Sequence, residues 1–247
     1  MHCYWPYRGR PLALLLAVPA LLAAASGAWA QEGVRVADLE YRTTATARLA
    51  GMPMTLHART ATHWQRQGDR YEASMQTDTV EFLQQSSGTI RPDGSLLPAT
   101  YTEKRPFHSA ERVQVDWPAQ RVQYAGGATA PTPAVGAQDR LSLQFELAAT
   151  YARAPERFAP GAVFAVQLIG PHAIDDWKFV CAGREGIQTA QGPAAAVHLA
   201  ARRPVRDTEE TMDLWIAVDA PHLPLRIRMV DRNGAVIDSI LQTARYP

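Results

Sequence analysis

The stretch "PHAIDDW" sets His172, Asp175 and Asp176 close together. An imidazole beside two carboxylates is the minimum a general acid–base hydrolysis needs. Nothing in the run supplies a nucleophile or holds a water, so it reads first as a polar turn before the strand carrying Trp177. His57 and His63 would share one face of a straight strand. At about 3.3 Å per residue they stand roughly 20 Å apart along it, too far to chelate one ion. Glu209 and Glu210 beside Arg202, Arg203 and Arg206 form a mixed-charge surface segment, neither a glycosidase carboxylate pair nor a nucleic-acid stripe. The sequence contains no G-x-S-x-G elbow, P-loop, dinucleotide fingerprint or H-E-x-x-H pattern. No catalytic residue, metal ligand or cofactor is assigned, and a non-enzymatic protein is expected.

The remaining candidates are aromatic: Trp64, Trp117, Trp177 and Trp215 on expected strands, and Phe145 on an expected helix. In "TMDLWIAV", Met212, Leu214, Ile216 and Val218 point one way while Asp213, Trp215 and Ala217 point the other. A tryptophan opposite an aliphatic row must pack against another element or line a groove. A groove between sheet and helix, lined by these five side chains, would suit an apolar or lipid-like ligand.

Strands must carry most of these groups. "VRVADLEYRTTATARLAG", "MTLHARTATHWQR" and "RYEASMQTDTV" are rich in Thr, Val and aromatic residues and are separated by "GMP" and "QGD". "SGTIRPDGSLLPATYTEKR" adds a pair around Pro92 and Gly94, and "ERVQVDWPAQRVQYAG" a hairpin turning at "WPAQ". "GGATAPTPAVGA" is a connection unsuited to a central strand. In "QDRLSLQFELAATYARAPERF", Leu141, Leu143, Phe145 and Leu147 alternate as in a strand. Leu141, Phe145, Ala148 and Ala152 also share a helical face. Length and alanine content favour a helix over residues 139–151, capped by Asp139 and ended before Pro155. "AVFAVQLIG", "DWKFVCAG", "REGIQTAQG" and "AAAVHLAARR" read as further strands, with Gly170, Gly183, Gly186 and Gly192 as punctuation. After "DAPHLP", Leu225, Ile227 and Met229 oppose outward Arg226 and Arg228. Asn233-Gly234 predicts a type I′ hairpin turn.

Arg8 and Arg10, the apolar run "PLALLLAVPALLAAAS" and "AWA" predict a cleavable signal peptide over residues 1–30 and export to the periplasm. Residues 31–247 then form a single β-rich domain with no transmembrane span. Loss of the two leader arginines turns the formal net charge from +1 to −1, which leaves no field to favour nucleic acid. Cys181 is the one cysteine outside the leader. It cannot form an internal disulfide, and its apolar setting "WKFVCAG" reads as strand core.

"DLWIAVDAPHLPLRIRMVDRNGAVI" resembles the C-terminal signature of the DUF3108 family of exported, uncharacterised proteins. "GTIRPDGSLLPATYTEKR", "VDWPAQRVQY" and "PTPAVGAQDRLSLQFELA" are similar to its earlier landmarks, so the resemblance spans residues from about 35 to 244. It implies a mainly β fold: a curved antiparallel sheet or incomplete β-barrel with one helix packed against it. A more distant likeness is to periplasmic lipoprotein-carrier half-barrels. The function expected is a periplasmic binding or carrier protein for an apolar or lipid-like ligand. The alternative is a non-enzymatic structural or protein-interaction module of the envelope.

Overall fold

The structure is a computed structural model that describes residues 34–49, 51–206 and 208–246. The expected leader, residues 1–30, lies outside the described residues. Fifteen strands form one sheet. The first half comprises β1 (Val36–Leu49), β2 (Met52–Gln67), β3 (Arg70–Thr77), β4 (Leu83–Ile90), β5 (Leu96–Lys104), β6 (Glu111–Asp116), β7 (Arg121–Tyr124) and β8 (Thr129–Pro131). The second half comprises β9 (Gln138–Asp139), β10 (Val163–Ile169), β11 (Ile174–Thr189), β12 (Gly192–Val205), β13 (Thr208–Ala217), β14 (Pro224–Val230) and β15 (Val236–Arg245). Helix α1 (Ser142–Arg153) follows β9, and a single 3₁₀ turn, Pro155–Phe158, leads towards β10.

Alternation builds the strands. In β1, Ala37, Leu39, Tyr41 and Thr43 are buried while Asp38 and Arg42 are exposed. The sheet order runs from β8 back to β1, then from β15 back to β9, so each half is a meander and the two meet where β1 pairs with β15. Pairing is antiparallel except between β9 and β10. The sheet curves but stays open. Its outer strands, β8 and β9, are consecutive in the chain and unpaired with each other. Across that seam the Ala134 N–H donates to Gln167 Oε1 at 2.7 Å, and His172 Nε2 lies 3.1 Å from Glu111 Oε1.

The concave face holds two apolar clusters. One gathers Tyr41, Trp64, Tyr71 and Tyr101 from the first half, with Trp215, Leu225 and Leu241 from the second and Phe145 of α1. The other gathers Phe179, Leu199, Leu214 and Ile216 from the second half with Leu143, Leu147 and Tyr151 of α1. The helix is therefore wedged between the halves, as a mainly β fold with one covering helix requires.

Three local expectations need correction. "DWKFVCAG" and "REGIQTAQG" form one strand, β11, because Gly183 adopts φ 106° at a bulge and the ladder with β12 continues past it. The "DRNG" turn is not type I′: only Gly234 has positive φ. The Gly234 N–H donates to the Asp231 carbonyl, while the Asp231 carboxylate accepts from Asn233 and Ala235, holding a turn with glycine at its fourth position. The helix begins at Ser142 rather than residue 139, since Gln138 and Asp139 are paired with β10.

Gly88 sits at the β4–β5 irregularity, where a Cβ would lie 2.2 Å from the Leu97 carbonyl oxygen. Gly88→Ala is expected to cost about 1–3 kcal/mol of unfolding free energy. Gly186→Ala, with nothing within 4 Å of its Cβ position, should stay within about 0.5 kcal/mol of wild type in urea unfolding.

Candidate apolar binding site

Helix α1 starts from a fixed polar junction. Oδ1 of Asp139 accepts the N–H groups of Leu141 at 2.9 Å and Ser142 at 2.8 Å, and Ser142 Oγ accepts the Asp139 N–H at 3.0 Å. Asp139 therefore serves the helix start from within β9, satisfying donors a helix cannot satisfy itself. Its other oxygen accepts the Ser86 hydroxyl at 2.5 Å, and Ser86 Oγ lies 3.1 Å from the Tyr71 hydroxyl. This ties the helix start to β3 and β4 across the concave face. Burial pushes the Asp139 carboxyl up to about 6, against the opposing pull of donors on Ser86, Ser142 and Leu141.

Between the second half of α1 and the first half of the sheet lies an apolar cleft of about 100 Å³. Trp64 and Phe145 form one wall, stacked with ring centroids 4.6 Å apart, and Tyr71 stacks behind Trp64 at 5.3 Å. The Trp64 indole N–H donates to the Val34 carbonyl, so the ring is held in place while its edge toward the cleft stays apolar. Ala148, Ala149 and Ala152 line the helix side, where their small side chains leave the space. Leu96 and Leu223 close other sides, and Arg66 and Arg153 also reach the lining. Arg153 donates to the Gly94 carbonyl at 2.8 Å and pairs with Glu146 at 3.3 Å. Glu146 in turn accepts the Leu96 N–H at 2.6 Å, and burial raises its carboxyl above the usual range.

Of the five aromatic candidates, Trp64 and Phe145 meet at this cleft. Trp117 lies on the β6–β7 turn, donates to the Pro98 carbonyl and lines a separate, open groove of about 500 Å³ with Asp116 and Arg121. Trp177 is buried in the second cluster beside Phe179, with Arg203 stacked on its ring at 5.4 Å. Trp215 belongs to the first cluster, with Trp64 and Phe145, but does not line the cleft. It is sandwiched between His198 at 4.3 Å and Arg226 at 4.7 Å, and its N–H donates to Glu185. Arg226, expected to point outward, is half-buried and bidentate to Asp238 at 2.8 and 2.6 Å. Sequence reasoning missed Leu96 and Leu223 as cleft residues, and Tyr71 as the ring behind Trp64. Ala148 and Ala152 were visible on the helix's apolar face with Phe145, but not as the source of a cleft.

The polar candidates disperse. His172 pairs with Glu111, Asp175 with Arg203 at 2.8 Å, and Asp176 accepts from Gln167 at 2.9 Å. His57 contacts Thr44, whereas His63 contacts Asp38. Arg202 and Arg203 pair across strands with Glu209 and Glu210. Cys181 is buried and its thiol donates to the Phe158 carbonyl. Among the described residues, no three His, Cys, Asp or Glu side chains are placed to hold a metal ion. No helix among them is long and apolar enough to cross a membrane.

A family model described as a protein of unknown function, DUF3108, matches residues 40–240. The chain belongs to the DUF3108 family. No curated protein matches it. Its fold is similar to that of a β-barrel-like protein of the DUF1849 domain from Brucella abortus, at 11% identity and a TM-score of 0.53, over 87% of this chain and all of that one. A DUF1329 family protein from Desulfovibrio piger aligns over 86% of each chain at 10% identity and a TM-score of 0.28. The DUF3108 chain thus shares a barrel-like sheet with another domain of unknown function, and the likeness extends to fold alone.

Asp139 predicts a pH dependence. Its folded value, about 6, exceeds the ordinary 3.8, so the folded chain holds the proton more tightly. The stability this contributes is fully present below about pH 3.8 and is lost as pH rises through 6, by up to about 3 kcal/mol. In Asp139→Asn the amide oxygen can still accept from Leu141 and Ser142. Urea unfolding from pH 4 to 7 should show this fall in wild type and a correspondingly flatter curve in the variant.

Proposed function

We propose that this DUF3108 protein is a periplasmic binding or carrier protein for a small apolar or lipid-like group, held in the cleft between α1 and the first half of the sheet. The observation that carries this reading is the Trp64–Phe145 wall facing the alanines of α1. Apolar area shielded there contributes roughly 25 cal/mol per Å². The cleft is small beside the roughly 300–1,000 Å³ of ordinary ligand sites. It suits a short apolar segment or one end of an acyl chain, and a longer chain requires α1 to move off the sheet. The role is non-enzymatic, in keeping with the separate partners of His172, Asp175 and Asp176.

A second reading, an envelope protein-interaction module, is favoured by the open seam. Thr129–Pro131 on one side and Gln167 and His172 on the other line a groove of about 530 Å³, where a partner could add a strand.

Titration with N-phenyl-1-naphthylamine, an uncharged apolar fluorophore, separates the two. Saturable binding should weaken at least tenfold in Ala149→Leu and Ala152→Leu, which fill the cleft, with thermal midpoints kept. No binding, or binding indifferent to the filling, would remove the carrier reading and leave the seam.

A further inference from the structure

The β1–β2 hairpin projects beyond the sheet at the end away from the cleft. β15 pairs with β1 only as far as Thr46, and β3 pairs with β2 only from Thr60. Residues 47–49 and 52–54 of the ladder pair with one another alone, a two-stranded ribbon reaching roughly 10 Å past the sheet at about 3.3 Å per residue. An isolated ribbon of this kind gains little stability of its own in water.

Its two faces differ in chemistry. Register puts Ala45, Ala47, Met52, Met54 and Leu56 on the face continuous with Tyr41 and Thr43. Met52 is 68% exposed and Met54 52%, and Ile237, opposite Ala45 on β15, is 43% exposed. The other face carries Arg42, Arg48, His57 and Arg59. Arg42 stands directly opposite Arg59, a like-charge juxtaposition that costs stability. Arg59 has Glu40 at 3.1 Å, and the Arg59 N–H donates to the Asp78 carboxylate. Nevertheless, from Tyr41 to Gly68 the sequence has four arginines, two histidines and no aspartate or glutamate. The full chain is nearly neutral, so this cationic stretch is a local property.

From this we infer that the β1–β2 ribbon docks on the surface of an anionic lipid bilayer, with Met52 and Met54 at its tip entering the interface, Arg48 beside them at the level of the anionic headgroups, and Arg42 farther along the ribbon adding to the attraction. Exposed apolar side chains joined to cationic ones are what an interfacial element requires, since each supplies a separate part of the affinity. A cation near an anionic surface contributes about fivefold in partitioning. Exposed thioethers at the tip of an unsupported ribbon can enter the interface without unpacking the core. The inference stands independently of the cleft, because the ribbon contributes no residue to it.

Flotation with vesicles of phosphatidylethanolamine containing 30% phosphatidylglycerol, against vesicles of phosphatidylcholine alone, tests it. The expected result is binding to the anionic vesicles at least tenfold tighter and weakened by salt. Met52→Glu/Met54→Glu should reduce it at least tenfold, Met52→Leu/Met54→Leu should retain it, and Arg42→Gln/Arg48→Gln should erase most of the preference for anionic lipid. Thermal midpoints verify that each variant is folded, and every variant shares residues 1–33 with wild type. Equal binding to both vesicle types, no binding, or binding unchanged by the glutamates would overturn the inference. So would a shift in sedimentation of the vesicle-free protein that the glutamates abolish without affecting flotation, which would assign the ribbon to contact with a second copy.

Discussion

An open curved sheet leaves its concave face uncovered, and the apolar residues there must be shielded by something the sheet cannot supply. Helix α1 meets that requirement. It buries Phe145 against the first half and Leu143, Leu147 and Tyr151 against the second. Its position depends on Asp139, whose carboxylate holds the start of the helix with one oxygen and reaches Ser86 with the other. A carboxyl in so dry a place is tolerable because donors surround it. The cleft is the residue of this arrangement. Where α1 carries leucine and phenylalanine the interior fills, and where it carries Ala148, Ala149 and Ala152 it does not.

Strand alternation made most of the architecture legible, since Ala37, Leu39, Tyr41 and Thr43 write the buried side of β1 directly into the sequence. The helix was harder for a physical reason. A surface helix has one apolar stripe, but α1 contacts both clusters and also buries Ser142 and Gln144, so its pattern is compatible with either period. Alternation also says that Trp215 opposes Leu214 without saying which face meets the helix. Hence Trp64 and Trp215 looked equivalent, although one lines the cleft and the other is packed between His198 and Arg226. Gly183 was misleading because a glycine that ends a strand and one that accommodates a bulge look alike in sequence.

The surroundings of Trp215 have an organisation of their own. His198 is placed between Asp213 at 2.9 Å and Glu185 at 3.3 Å, while Arg226 binds Asp238. These groups pack around Trp215, a large apolar ring buried to 6% exposure as a member of the first cluster. Long polar side chains with apolar stems can pack in this way. The sheet is thus covered by α1 on its concave side and locally by ion-paired side chains elsewhere.

The pairing of β1 with β15 joins the earliest strand described to the latest, at the middle of the sheet. Each meander can zip locally, but the two halves can be united only after Val236–Arg245 is available. A chain emerging from its N-terminus therefore carries β1 with one unpaired edge until Val236–Arg245 has been delivered. Completion of the sheet is a late event in time as well as in sequence, and the segment that waits longest for its neighbour is the one from which the β1–β2 ribbon extends.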